Sequence, residues 1–168
     1  MNRLFAILLS VSFLIPSCIK DKETGADLKV GDILPEFTVT MNDGSTVGAE
    51  QLKGGIACIT FFSTACPDCR QTLPQVQKVY DEFARQGVAF AVISREDGAG
   101  SVAEYWTAEG LTMPYSAQEN REIYELFAAS RIPRVYVCKE GVIRVIFTDT
   151  PSNPVYEDIK AAIEEQMN

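Results

Sequence analysis

The stretch "GGIACITFFSTACPDCRQTLPQV", Gly54 to Val76, restricts the fold more than any other part of the chain. Ile56 to Phe62 is apolar at every position except Thr60 and is bounded by Gly54-Gly55. Such a run reads as a strand buried on both faces, which needs a neighbour on each side and covering layers above and below. Beyond it the period changes. Leu73, Val76, Tyr80 and Phe83 recur at three- and four-residue steps, which predicts a helix ending at Gly87. A second buried-strand run, Val88 to Ser94, follows at once. Strand, helix and strand in so short a span make a β-α-β unit.

The alternation continues on both sides of that unit. Upstream, Asn42-Asp43-Gly44-Ser45 separates two short β-like runs, and Asp-Gly supplies the positive φ of a tight hairpin turn. Downstream, Val102, Tyr105 and Trp106 mark a shorter helix ending near Gly110, and Ile123, Leu126 and Phe127 mark another before Pro133. "RVYVC" and "VIRVIF" flank Lys139-Glu140-Gly141 as a second hairpin, and Asn153-Pro154 is the expected cap of a last helix carrying Val155, Ile159 and Ile163. The order hairpin, β, α, β, α, α, ββ, α predicts an α/β fold with a central mixed sheet and helices on both faces. The aromatic residues Tyr105, Trp106, Tyr115 and Phe127 fit core and rim positions and carry no assigned chemistry.

Two totals remove whole classes of function. The chain has no histidine, which excludes Ser–His–Asp and Cys–His catalysis and imidazole metal sites. A formal charge of −8 argues against nucleic acid as a partner, since such proteins carry a basic stripe.

The N-terminus reads as a targeting segment. A short basic start, Asn2-Arg3, precedes the apolar run Leu4 to Ile15, too short to span a bilayer and suited to a signal-peptide core. Ile15-Pro16-Ser17-Cys18 resembles the lipobox of bacterial lipoproteins, although Pro16 departs from its usual pattern. The resemblance implies a signal peptide over residues 1–17 and lipidation of Cys18, which would tie the chain to a membrane. The polar segment "IKDKETGADLK" then predicts a tether over 18–29, ahead of a single domain over 30–168. "KDKE" beside Cys18 also resembles the charged surface-export signal of some Bacteroidetes lipoproteins. The expected location is the envelope of a Gram-negative bacterium, on a membrane facing the periplasm or the cell surface. Export makes disulfides admissible.

Cys66 and Cys69 lie between the first buried strand and its helix, and three readings compete: metal ligands, a structural disulfide, or a redox centre. A zinc site needs two further ligands, from a second CxxC or a histidine pair, and the chain supplies neither. The placement favours redox chemistry. Unpaired N–H groups and the dipole at a helix N-terminus stabilise a thiolate, the reactive form. Cys66 is the expected attacking thiol and Cys69, one turn into the helix, the resolving one.

These residues carry a specific resemblance. "FFSTACPDCRQTLP" resembles the active-site run of the thioredoxin superfamily, with Pro74 at the family's helix proline. "SRIPRVYVCKEGVI" resembles its Ile–cis-Pro followed by a hairpin, with Pro133 as the cis-proline. "GDILPEFTVTMNDGSTVGAEQLKGG" resembles the N-terminal hairpin extension of the TlpA/ResA branch of membrane-tethered thiol-disulfide oxidoreductases, an extension shared with the AhpC/TSA-Redoxin type. The resemblance implies a thioredoxin-like fold and a dithiol–disulfide cycle needing no cofactor and no metal. Its partners would be disulfide-containing exported proteins and a thiol-disulfide electron donor. Pro133 would lie beside the cysteines, and Ile132, Pro67 and Arg134 would contact substrate.

The chain departs from that pattern where a carboxylate would help Cys69 lose its proton: Thr60 and Thr72 occupy those positions. Asp68, inside the motif, is the nearest replacement. A carboxylate there disfavours a thiolate in the motif, which makes the pair more reducing unless Arg70, Arg131 or Arg134 offsets it. The resemblance also places the strands of Cys58 and Cys138 side by side, where the two thiols could face each other as a cross-strand disulfide or a relay to Cys66–Cys69; the plainer reading is two buried, inert free thiols. Two other functions stay in view. A peroxiredoxin-like peroxidase finds Ser63 at its hydroxyl position but Ile59 where its proline belongs. A redox-inactive binding module would have no use for an intact CxxC and Ile-Pro.

Overall fold

In the computed structural model, which describes residues 27–168, Ile56–Phe62 is the strand β3 of a four-stranded sheet, and successive side chains enter opposite cores. To fix labels, β1 is Thr38–Thr40, β2 Thr46–Gly48, α1 Ala49–Leu52, α2 Pro67–Phe83, β4 Ala89–Ser94, α3 Ala99–Glu109, α4 Glu122–Glu125, β5 Arg134–Lys139, β6 Val142–Phe147 and α5 Tyr156–Met167. The strand order is β4-β3-β5-β6, with β3 and β4 parallel and the other two pairs antiparallel. This is the expected mixed sheet.

Cys58 and Phe62 face a core built with Cys69, Leu73 and Val76 of α2, Trp106 of α3 and Ile163 of α5. Ala57, Ile59 and Phe61 face a second core with Leu52 of α1, Tyr124 of α4, and Phe37 and Val39 from the N-terminal segment. Burial on both sides explains why β3 could be read so directly from its composition.

The expected hairpin forms as its own two-stranded sheet, β1 with β2, around Gly44 at φ +83°. Helix α2 passes through a 3₁₀ turn, Ala84–Gln86, and stops at Gly87, whose φ of +91° is the left-handed cap the sequence indicated.

Three boundaries differ from expectation. The helix before Pro133 is one turn, because the Phe127 carbonyl accepts from the Leu28 N–H at 2.8 Å; Tyr124 and Phe127 bury while Leu126 stays at the surface. The last helix is capped at Val155, whose N–H donates to Asp158 Oδ2 at 3.1 Å, rather than at Asn153-Pro154. Asp27 to Lys29, expected in the tether, belong to the body: Leu28 is buried, and Asp27 Oδ1 accepts from the Ala129 N–H at 2.9 Å. The expected leader, Cys18 and the rest of the tether lie outside the described residues.

Candidate active site

The loop from β3 into α2 is held by one carboxylate from the far side of β4. Asp97 Oδ1 accepts from Ser63 Oγ at 3.1 Å, and Asp97 Oδ2 accepts from the Thr64 N–H at 2.5 Å. The Cys66 N–H donates to the Ser63 carbonyl at 3.2 Å, and Arg70 Nε donates to the Thr64 carbonyl at 2.7 Å. The turn carrying the first cysteine is therefore fixed at both ends. Asp97 was missed by sequence reasoning. Its local signal, an Asp-Gly between a strand and a helix, says nothing of a partner 33 residues away.

Cys66 is the N-cap of α2, with Pro67 in the first turn, where a missing N–H costs nothing. Its Sγ accepts from the Cys69 N–H at 3.4 Å and donates to the Ile132 carbonyl at 3.6 Å. The Ile132–Pro133 peptide bond is cis, and Pro133 is buried behind Ile132. Cys66, Cys69, Ile132 and Pro133 thus meet as the sequence placed them, and both thiols are free. Cys66 is half-buried with Pro67 exposed next to it, whereas Cys69 is fully buried. Burial pushes the Cys69 thiol well above the ordinary cysteine range, the Cys66 side chain and the Asp68 charge push further, and the Ser63 backbone pulls back slightly.

Beside the cysteine turn runs an open cleft of about 670 Å³, lined by Asp68, Gln71 and Pro74 from α2 and by Asp149, Asn153 and Pro154 after β6. Asp68 faces this cleft, where its Oδ1 accepts from Asn153 Nδ2 at 2.9 Å. Arg131 ties the cis-proline loop to the same region, donating to Asp149 Oδ1 at 3.1 Å and Thr150 Oγ1 at 2.7 Å.

Two expectations are corrected by strand parity. Arg134, expected at the substrate contact and as a charge near the cysteines, enters the opposite core with Tyr136 and Cys138. It is 4% exposed, and its Nη2 donates to Asp27 Oδ2 at 2.7 Å and to the Ser130 carbonyl at 2.9 Å. Cys58 and Cys138 do not face each other either. Cys58 pairs in register with Val137, and Cys138 with Ala57, so the two thiols lie on opposite faces of the sheet. Burial pushes both up to about 12. Oxidation of the folded protein is expected to join Cys66 to Cys69 and leave Cys58 and Cys138 as thiols. Differential alkylation with peptide mass analysis checks this, and a Cys58–Cys138 crosslink in folded protein overturns it.

The AhpC/TSA family model matches residues 30–146. Thiol-disulfide oxidoreductase ResA of Oceanobacillus iheyensis is 30% identical over 141 residues, covering 81% of this chain and 72% of that protein. In structure the chain is similar to a putative protein disulfide isomerase from Bacteroides thetaiotaomicron, with a TM-score of 0.74, 22% identity and coverage of 84% and 90% of the two chains. It is likewise similar to a thioredoxin-family thiol:disulfide interchange protein from Chlorobium tepidum, with a TM-score of 0.70, 22% identity and coverage of 85% and 100%. These two show a thioredoxin-like fold. Family match, fold and paired cysteines agree: the chain belongs to the AhpC/TSA family, as a ResA-like thiol-disulfide oxidoreductase of the thioredoxin superfamily.

Proposed function

We propose that this oxidoreductase is an exported lipoprotein, anchored through Cys18 in a Gram-negative envelope, that reduces protein disulfides through a Cys66/Cys69 cycle. The observation that carries the cycle is the pairing of a half-buried sulfur at a helix N-cap with a fully buried one a turn behind it. Cys66 attacks a substrate disulfide and forms a mixed disulfide. Cys69 then attacks Cys66, the substrate leaves as a thiol, and a Cys66–Cys69 disulfide remains for an external dithiol donor to reduce. Pro67 and Ile132 border the attacking sulfur and are the contacts for an incoming extended segment.

The reducing direction is supported by the Asp68 charge beside the pair, which opposes a thiolate there, because a pair whose reduced form is not stabilised as a thiolate is the better electron donor. Exported proteins with disulfides are the fitting substrates, and Ser63, committed to Asp97, is not free for the peroxidase reading.

The test is a redox titration of the full chain, with Cys66–Cys69 status read by alkylation and mass analysis. A midpoint of about −230 mV or lower is the expected result. A midpoint near about −120 mV would reverse the direction. A pair that does not cycle would remove the reading altogether.

A further inference from the structure

A carboxylate far from the cysteines in the chain grips the loop that carries Ile132. Asp27 Oδ1 accepts from the Ala129 N–H at 2.9 Å, and Asp27 Oδ2 accepts from Arg134 Nη2 at 2.7 Å. The same Nη2 donates to the Ser130 carbonyl at 2.9 Å. One side chain thus holds both ends of the loop 129–134, and through Arg134 its middle as well.

Between those ends the backbone takes a shape that needs holding. Arg131 has φ +71°, in the left-handed region that non-glycine residues keep where surrounding contacts over-determine it. Its carbonyl accepts from the Tyr124 hydroxyl at 2.7 Å, and its guanidinium is taken by Asp149 and Thr150. The next residue, Ile132, presents its carbonyl to Cys66 Sγ at 3.6 Å. Burial makes the Asp27 link more than a surface ion pair. The Arg134 side chain is 4% exposed, and Asp27 is its one carboxylate partner among the described residues. A buried cation that loses its carboxylate is left uncompensated, which draws the guanidinium away from its place and from the Ser130 carbonyl, two residues before Ile132.

We propose that Asp27, acting through Arg134 and Ala129, is a positioning residue for polypeptide substrates: it sets the backbone at Ser130 to Ile132 against which an extended segment docks. Arg134 enters the core on the sheet face away from the cysteine pair, so the link governs docking and leaves the reacting sulfurs to α2. The role rests on the reading of Ile132 as a substrate contact.

The test uses the reduced full chain and two chromogenic probes with the same reacting bond: nitrothiobenzoate joined by a disulfide to the cysteine of an extended peptide, or to cysteamine. Attack by Cys66 releases nitrothiobenzoate from either, and the burst that Cys66→Ser lacks is the one scored. Stopped-flow absorbance against probe concentration gives a half-saturating concentration and a limiting rate. Asp27→Asn keeps the shape of the side chain and removes its charge. It is expected to raise the half-saturating concentration for the peptide probe about tenfold, the scale of one misplaced hydrogen bond. The limiting rate, and the rate with the cysteamine probe, should stay at the wild-type value, which also reports an intact fold. An unchanged half-saturating concentration overturns the proposal. So does equal slowing with both probes, which marks a general loss of structure. A wild-type protein that reacts no faster with dilute peptide probe than with dilute cysteamine probe overturns the Ile132 contact, and the role of Asp27 with it. A burst that Cys66→Ser retains in full would instead overturn Cys66 as the attacking thiol, a result distinct from any effect of Asp27.

Discussion

Cys69→Ser is expected to stop turnover and accumulate the protein as a mixed disulfide with its substrate through Cys66. The substitution removes the sulfur that closes the cycle but keeps the backbone N–H that points at Cys66 Sγ from 3.4 Å. The attacking sulfur keeps its cap and its contact with the Ile132 carbonyl. Attack therefore proceeds and resolution does not. The loss in multiple-turnover disulfide reduction should reach at least about a thousandfold, as for removal of one member of a catalytic unit. Cys66→Ser should lose as much while forming no adduct, because Cys69 is fully buried and cannot meet a protein substrate. Substrate reduction and intact-protein mass measure both effects. If Cys66→Ser formed the adduct, the assignment of the two cysteines would be exchanged.

Phe61→Ala should have the largest effect on stability. Phe61 is fully buried on the β3 face away from the cysteines, with ring centroids of Phe127, Tyr124 and Tyr136 at 4.8, 5.4 and 6.3 Å. In register it stands between Ile93 of β4 and Arg134 of β5, at the last rung β3 shares with β5 before the active-site loop. Truncation removes a large apolar side chain and leaves a cavity its ring neighbours can only partly fill. The expected cost is about 3–5 kcal/mol. Urea unfolding should show a lower midpoint with an unchanged slope. A cost below about 1 kcal/mol would mean that this face collapses around the gap or carries little of the core energy.

What the sequence disclosed follows from how local each signal is. β3, the cysteine turn, the left-handed stop at Gly87 and Ile132-Pro133 were readable because each depends on a few adjacent residues. Arg134 and Cys138 were misplaced for one shared reason. Their strand was identified correctly, but which of its residues face the cysteines depends on pairing with β3, and a shift of one residue exchanges the faces. Asp97 was passed over because its meaning arises from contacts with a loop far away in the chain. The short α4 reflects tertiary override: a carbonyl its next turn would have used is taken by the N-terminal segment.

The one-residue offset between Cys58 and Cys138 also has a bearing on how this protein survives its own chemistry. The four thiols among the described residues can be joined into two bridges in three ways. A protein that trades disulfides with its surroundings risks scrambling its own, becoming a substrate for its neighbour. Here the β-sheet acts as a partition. Cys138 is on the side that no other described cysteine shares, and Cys58, four residues back from Phe62, is about 13 Å along the strand from the end where Cys66 and Cys69 react. Among the described cysteines the folded chain is left with a single disulfide isomer to visit and return from, so repeated oxidation need not erode the pool of active molecules.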